Sequence, residues 1–264
     1  MRQKFNRIKL VFSKEKKEAR KLALEVIKIL RQKAMLVDDF QKADVVITFG
    51  GDGLVLKVAD QIAQKGLEIP ILRVNFGRRG FLCNLVPEIK EIKRVLFEMS
   101  REKFEIRKRL RIEADIQKRD SVVSFSSLNE MVIGGITRTV GLKLNLNLPE
   151  EQIETETRGD GIIVATPTGS TAYNLNALGP ILLCSDCFVV LANNGNFEGD
   201  FFLPQSRAIV IPANSEIEVR NIIKKRKNLP FLIADGQREY RLSGRDRVVI
   251  RKASLKTLFL EIES

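Results

Sequence analysis

Over its first hundred residues the chain alternates two hydrophobic patterns. Ile8–Phe12 is a short apolar run that predicts a buried strand. Ala19, Leu22, Ala23, Val26, Ile27 and Leu30 then recur at helical spacing through a charged segment. Val45–Phe49 is a β-branched run stopped sharply by Gly50-Gly51-Asp52-Gly53. Leu54–Gln64 reads as a helix, Ile71–Asn75 as a strand, and Pro87–Met99 as a helix with proline near its first turn. Strand and helix alternating in this way predict a parallel sheet covered by helices.

Near Arg101 the period shortens. Ile106–Ile116, Val122–Phe125, Leu142–Leu148, Ile162–Ala165, Ala208–Ile211 and Ile217–Val219 are short alternating segments. Phe231–Ala234, Arg247–Ile250 and Thr257–Ile262 continue the series. Turn residues between them predict a β-rich second domain. The expected division is an α/β domain over 1–103 and a β-rich domain over 104–264, with the last strand free to return to the first. A chain of 264 residues is long enough for either one large core or two small ones.

Composition narrows the class. A hydrophobic fraction of 44% and a charged fraction of 30% fit a globular chain. No run of 18 apolar residues is present, and the apolar part of MRQKFNRIKLVF is too short for a signal-peptide core. The expected address is therefore the cytoplasm, with no membrane partner. Cys83, Cys184 and Cys187 are too few for a disulfide framework, so structural thiols are expected even for the C-x-x-C pair.

The chain has no histidine, which excludes Ser-His and Cys-His nucleophiles and histidine-ligated metals. A general base must then be sought among Asp and Glu before Lys, Tyr or Cys. The net charge of +12 favours anionic ligands, from nucleotides to nucleic acid. The cations are dispersed, with short clusters at Lys14–Lys17, Arg107–Arg111 and Lys224–Lys227, and no basic-aromatic stacking pattern accompanies them. They read as a solvated basic surface, not as a nucleic-acid footprint.

Two loops carry candidate chemistry. Glycines in Gly50–Gly53 let the backbone approach phosphates, and the loop follows a buried strand, where open α/β sheets bind ligands. Asp52 within it is a base within reach of a bound hydroxyl, or simply a cap for the next helix. The loop is neither G-x-G-x-x-G nor a P-loop. The second is Thr166-Pro167-Thr168-Gly169-Ser170-Thr171-Ala172-Tyr173, a polar pocket wall leading into a helix predicted at Thr171, or a plain capped helix start. Arg158-Gly159-Asp160-Gly161 precedes it, and Asn129-Glu130 is a polar pair between Leu128 and Met131.

Together these motifs resemble the NAD kinase family in order and approximate spacing. Asn75-Phe76-Gly77 with Gly80-Phe81-Leu82, and Asp235-Gly236-Gln237, resemble two further elements of it, so the likeness spans about residues 44–250. GGDG alone is shared with diacylglycerol kinases and 6-phosphofructokinases; TPTGSTAY beside it is specific. The resemblance implies an N-terminal α/β domain, a β-sandwich-like C-terminal domain, and transfer of a phosphoryl group from ATP or polyphosphate to the 2′-hydroxyl of the adenosine ribose of NAD. It also implies a divalent metal ion, magnesium, carried mainly by the donor, no metal ligand set in the protein, and a homodimer or homotetramer.

By that resemblance Asp52 is the general base, with Gly51 and Gly53 against phosphate and ribose and Lys57 a phosphate contact. Asn129 lies near adenine and Glu130 near a ribose hydroxyl. Asp160 lies by the nicotinamide end with Arg158 beside it. Thr171, Ala172, Tyr173, Asn174, Leu175 and Asn176 form the adenine-binding stretch, and Gln237 is a late contact. Three features depart from the pattern: Leu54 replaces a small polar residue, Arg79 a leucine, and Asn193–Pro204 lacks a P-x-x-P-H-S element. The rival readings are a lipid or sugar kinase with the same loop, and a non-catalytic NAD(P)-binding regulator.

Overall fold

A computed structural model describes residues 5–33, 35–77, 81–83, 85–101, 104–135, 140–199, 206–221 and 230–262, with Arg158 and Asn221 as backbone only. The chain forms two units, Met1–Arg109 with Leu255–Ser264, and Leu110–Ser254.

The first unit contains β1 (Ile8–Phe12), α1 (Lys17–Gln32), β2 (Val45–Gly50), α2 (Asp52–Gln64), β3 (Ile71–Asn75), α3 (Ile89–Ser100), β4 (Phe104–Arg109) and the chain's last strand, β18 (Thr257–Ile262). Its sheet has the order β1-β2-β3-β18-β4, parallel except for β4. β2 is buried at all six positions, as a strand covered on both faces must be. α1 lays Ala19, Leu22, Ala23, Val26 and Leu30 onto this core, and α3 adds Ile92, Val95 and Met99. Inside the sheet Arg73, only 3% exposed, forms an ion pair with Glu261 of β18 and stacks 4.0 Å over the Phe259 ring.

The boundary expected at 103/104 falls after Arg109. Residues 106–116, which read as one alternating segment, are two strands in different units, because β4 pairs along its whole length with β18.

The second unit contains β5 (Ile112–Gln117), β6 (Val122–Ser127), β7 (Glu130–Gly134), β8 (Val140–Asn147), β9 (Gln152–Gly159), β10 (Gly161–Ala165), the one-turn α4 (Tyr173–Asn176), β11 (Cys187–Asn193) and β12 (Asn196–Glu198). It continues through β13 (Ala208–Pro212), β14 (Glu216–Asn221), β15 (Phe231–Ala234), β16 (Arg238–Arg241) and β17 (Arg247–Lys252). A sheet of order β13-β11-β10-β7-β15-β16 faces one of order β12-β9-β8-β14-β17-β5-β6. Met131, Ile133, Ile162, Val164, Phe188 and Leu232 of the first meet Ile112, Ile116, Leu142, Leu144, Ile217 and Val248 of the second in one core. On the outer side of β10 and β11, Leu182 and Ala177 pack over Ile163, Ala165, Val189 and Leu191.

A disulfide joins Cys184 and Cys187, where free structural thiols were expected. The turn before β11 brings their Cα atoms to 6.2 Å, within bridging range. Cys83 is free and buried. Among the described residues no helix is long and apolar enough to cross a membrane.

Candidate functional site

In the first unit the carboxyl ends of β1, β2 and β3 bring three loops together. Gly50 at the end of β2 accepts the Phe76 amide at 2.8 Å, and Asn75 Oδ1 accepts the Gly77 amide at 2.7 Å. Lys16 crosses from the β1 side and donates its Nζ to the Phe76 carbonyl at 2.6 Å. Leu54 fills the space beside Gly50: a Cβ there would stand 2.6 Å from Leu54 Cδ2, so the two residues are matched.

Asp52 opens α2, and its carboxylate turns onto the segment after β3. It accepts the backbone amides of Phe81 at 2.9 Å, Leu82 at 3.3 Å and Cys83 at 3.2 Å, fastening the segment after β3 to the glycine loop. The Cys83 thiol also hydrogen-bonds this carboxylate, so one thiol and three amides hold it in place. Burial, with Asp52's charge next, pushes the neighbouring Cys83 thiol up to about 12, which keeps it protonated. A Cβ on Gly53 would meet open space, and Lys57 is exposed on α2. Arg79 lies outside the described residues.

In the second unit β7 sits between β10 and β15, with Glu130 opposite Ala165 and Met131 opposite Ala234. Asn129-Glu130, the loop after β10 and the turn after β15 therefore converge. Asp235, in the left-handed region at φ 51°, turns its carboxylate onto the amides of Leu128 (2.9 Å), Asn129 (2.7 Å) and Glu130 (3.3 Å). Thr166 donates its amide to the Asn129 carbonyl at 2.9 Å and its hydroxyl to the Leu128 carbonyl at 2.7 Å, and that hydroxyl accepts the Gly169 amide at 3.1 Å. Gly169 must be glycine, because a Cβ would collide with the Asn129 backbone. Ser170 accepts the Leu182 amide at 3.0 Å, and buried Asn174 donates to the carbonyls of Ser170 (3.1 Å) and Pro180 (2.9 Å).

After these bonds, buried acceptors remain. Asn129 Oδ1, Glu130 Oε2 and Asn174 Oδ1 have no partner among the described residues. A buried polar atom without a partner is unfavourable by about 1–3 kcal/mol, so the adjacent pair Asn129 Oδ1 and Glu130 Oε2 marks a place prepared for a polar ligand. Burial, reinforced by the charge of Asp235 and opposed by the Tyr173 amide, pushes the Glu130 carboxyl up to about 8. Burial also raises Asp235, against its three amides and Arg111.

Of the other expected residues, Asp160 accepts Asn194 Nδ2 at 2.7 Å, and its amide reaches the Asn193 carbonyl at 2.8 Å. Asn193 Nδ2 in turn lies 3.5 Å from the hydroxyl of Tyr173, which is 43% exposed. Thr171 bonds the Thr168 carbonyl at 3.3 Å, Ala172 is half-buried, and Leu175 and Asn176 are exposed. Gln237, also exposed, closes the turn onto Ala234 at 2.9 Å. The Arg158 side chain is outside the described residues. The helix predicted at Thr171 is instead a 3-10 turn, Gly169–Thr171, followed by the single turn of α4, too short for a helix-terminal anion site.

Sequence reasoning missed the anchoring role of Asp235, although Asp-Gly after Phe231–Ala234 signals a turn. It also missed Lys16, one of five consecutive charged residues, Lys14–Glu18, that look alike as letters. Among the described residues no group of three or more Cys, Asp or Glu could hold a metal ion.

Residues 12–104 match the ATP-NAD kinase N-terminal domain, and residues 128–262 match the ATP-NAD kinase C-terminal domain. An NAD kinase of Caldanaerobacter subterraneus subsp. tengcongensis is 33% identical over 231 residues, covering 85% of this chain and 76% of that protein. A bifunctional NADP phosphatase/NAD kinase of Methanocaldococcus jannaschii is 32% identical over 273 residues; the match takes in 97% of this chain but only 45% of that longer protein. The fold is shared with the crystal structure of an NAD kinase from Archaeoglobus fulgidus in complex with ATP, at a TM-score of 0.72 and 24% identity over 97% of this chain and 94% of that one. With both domain types matched in order, the chain belongs to the ATP-NAD kinase family of phosphotransferases.

Proposed function

We propose that this chain transfers the terminal phosphoryl group of ATP to the 2′-hydroxyl of the adenosine ribose of NAD, giving NADP and ADP. The observation that carries the reading is the adjacent pair of buried oxygens without a partner among the described residues, Asn129 Oδ1 and Glu130 Oε2, which suits the hydroxyl and amino groups of an adenosine. In this reading Asn129 and Glu130 hold adenine and ribose, Tyr173 packs along the dinucleotide, and Asp160 with Arg158 serves the nicotinamide end. Gly51 and Gly53 leave room for phosphates.

Asp52 is the general base of the proposal. Its carboxylate accepts the proton of the 2′-hydroxyl as the oxygen bonds to the γ-phosphorus and the bond from that phosphorus to the ADP oxygen breaks. The divalent ion of the proposal enters as part of the substrate, magnesium-ATP. Bound to the phosphates, it neutralises their charge. Inorganic polyphosphate is the alternative donor. A homodimer or homotetramer in the cytoplasm completes the proposal.

The test is a substrate panel: purified protein with magnesium, NAD, NADH, diacylglycerol or fructose 6-phosphate as acceptor, and ATP or polyphosphate as donor. NADP formed from NAD supports the reading. Phosphorylation of the lipid or sugar alone would replace it, and NAD binding without turnover would make the chain a regulator.

A further inference from the structure

We infer that Lys16 is a ligand of the donor's phosphates, an assignment that rests on the phosphotransferase reading above. In the run Lys14–Lys17 its neighbours Lys14, Glu15 and Lys17 are exposed, whereas Lys16 is turned inward. It is the residue just before α1, in extended backbone (φ −97°, ψ 105°), which sends its side chain back across the carboxyl edge of the sheet. The ammonium is fixed there by the Phe76 carbonyl at 2.6 Å.

What it faces is backbone of the phosphate-loop kind. A Cβ built on Gly51 would stand 3.7 Å from Lys16 Nζ and 3.6 Å from Gly77 Cα. The ammonium and Gly77 Cα thus border the side of Gly51 on which a side chain would stand. An ammonium has three donors, and the Phe76 carbonyl takes one. None of the ion pairs among the described residues involves Lys16. The nearby carboxylate of Asp52 is turned onto the amides of residues 81–83. A half-buried cation beside two glycines, next to the start of the thirteen-residue α2, suits a polyanion, which the helix dipole also favours. The purely structural role, a tether for the Phe76 carbonyl, needs a donor but not a charge, and that difference separates the two.

The experiment compares wild type with Lys16→Met, Lys16→Gln, Lys16→Arg and, as a control for net charge, Lys14→Met. The readouts are KM for ATP, KM for NAD, thermal stability and calorimetric binding of inorganic triphosphate. Lys16→Met and Lys16→Gln should raise KM for ATP and weaken triphosphate binding by roughly 10–100-fold, the loss of one or two charge-assisted hydrogen bonds. KM for NAD should stay within about twofold, and Lys16→Arg should recover most of the loss. Lys16→Gln keeps a donor for Phe76, so it reports on the charge even where Lys16→Met is unstable. Triphosphate binding by Lys16→Gln equal to that by Lys14→Met would overturn the assignment. Absence of NADP formation by the wild type would overturn the proposed function instead, while triphosphate binding would still decide the role of Lys16.

Discussion

Asp235 accepts the backbone amide of Glu130 at 3.3 Å, so the turn after β15 brings a second carboxyl group beside that of Glu130 at the start of β7. Burial and this proximity push the Glu130 carboxyl from its ordinary 4.5 up to about 8. The folded protein therefore holds a proton there that the unfolded chain releases. A raised pKa of this sense adds stability that is full below pH 4.5 and is lost as pH rises through about 8. Thermal unfolding between pH 5 and pH 9 checks it: the wild type should lose more stability over that range than Glu130→Gln. Parallel curves would contradict the assignment.

Arg73 and Glu261 join the interior of β3 to the edge of β18, and Arg73 has almost no solvent contact. Removing the carboxylate leaves a buried cation, so Glu261→Ala should destabilise by about 2–4 kcal/mol in urea unfolding. Because Glu261 makes a further interaction, a double-mutant cycle with Arg73→Met isolates the pair. A coupling below about 0.5 kcal/mol would show that the ion pair adds nothing.

Tyr173 keeps 43% of its surface in solvent, and its hydroxyl lies only at the margin of bonding distance from Asn193. Tyr173→Ala should therefore leave the melting temperature nearly unchanged while raising KM for NAD by roughly tenfold, the loss of one aromatic contact. KM for ATP should move by less than about twofold. The reverse order would place the ring on the donor side.

Much of the first unit was legible because each of its elements announces itself locally. β1, β2 and β3 are apolar runs, α1 and α3 have one apolar stripe, and glycines or prolines mark the breaks from β2 to α3. In the second unit local patterning was less informative. β11 is buried at all seven positions, since Leu182 covers its outer face, and shows no alternation. β9 alternates Thr with Glu after Ile153, and its buried Thr155 and Thr157 bond the Glu198 and Asn196 carbonyls, so its inward positions carry little apolar signal. The split between β4 and β5 depends on β18, nearly 150 residues away in the chain. At the sites, Gly50–Gly53, Asn129-Glu130 and Thr166–Tyr173 stood out as motifs. Lys16 did not, since only its placement beside Phe76, 60 residues on, sets it apart from its neighbours.

The central claim is that Asp52 takes the proton in a phosphoryl transfer to NAD, and the most direct measurement is kcat for Asp52→Asn with NAD and magnesium-ATP. Asparagine would turn an NH₂ group towards amides that the carboxylate now accepts, so thermal stability and NAD binding must be recorded on the same sample. The expected result is a folded variant that binds NAD within a few-fold of wild type and turns over roughly 10²–10⁴ times more slowly. A near-normal kcat in that folded variant would contradict the account, because the proton would then leave by a route that does not need Asp52.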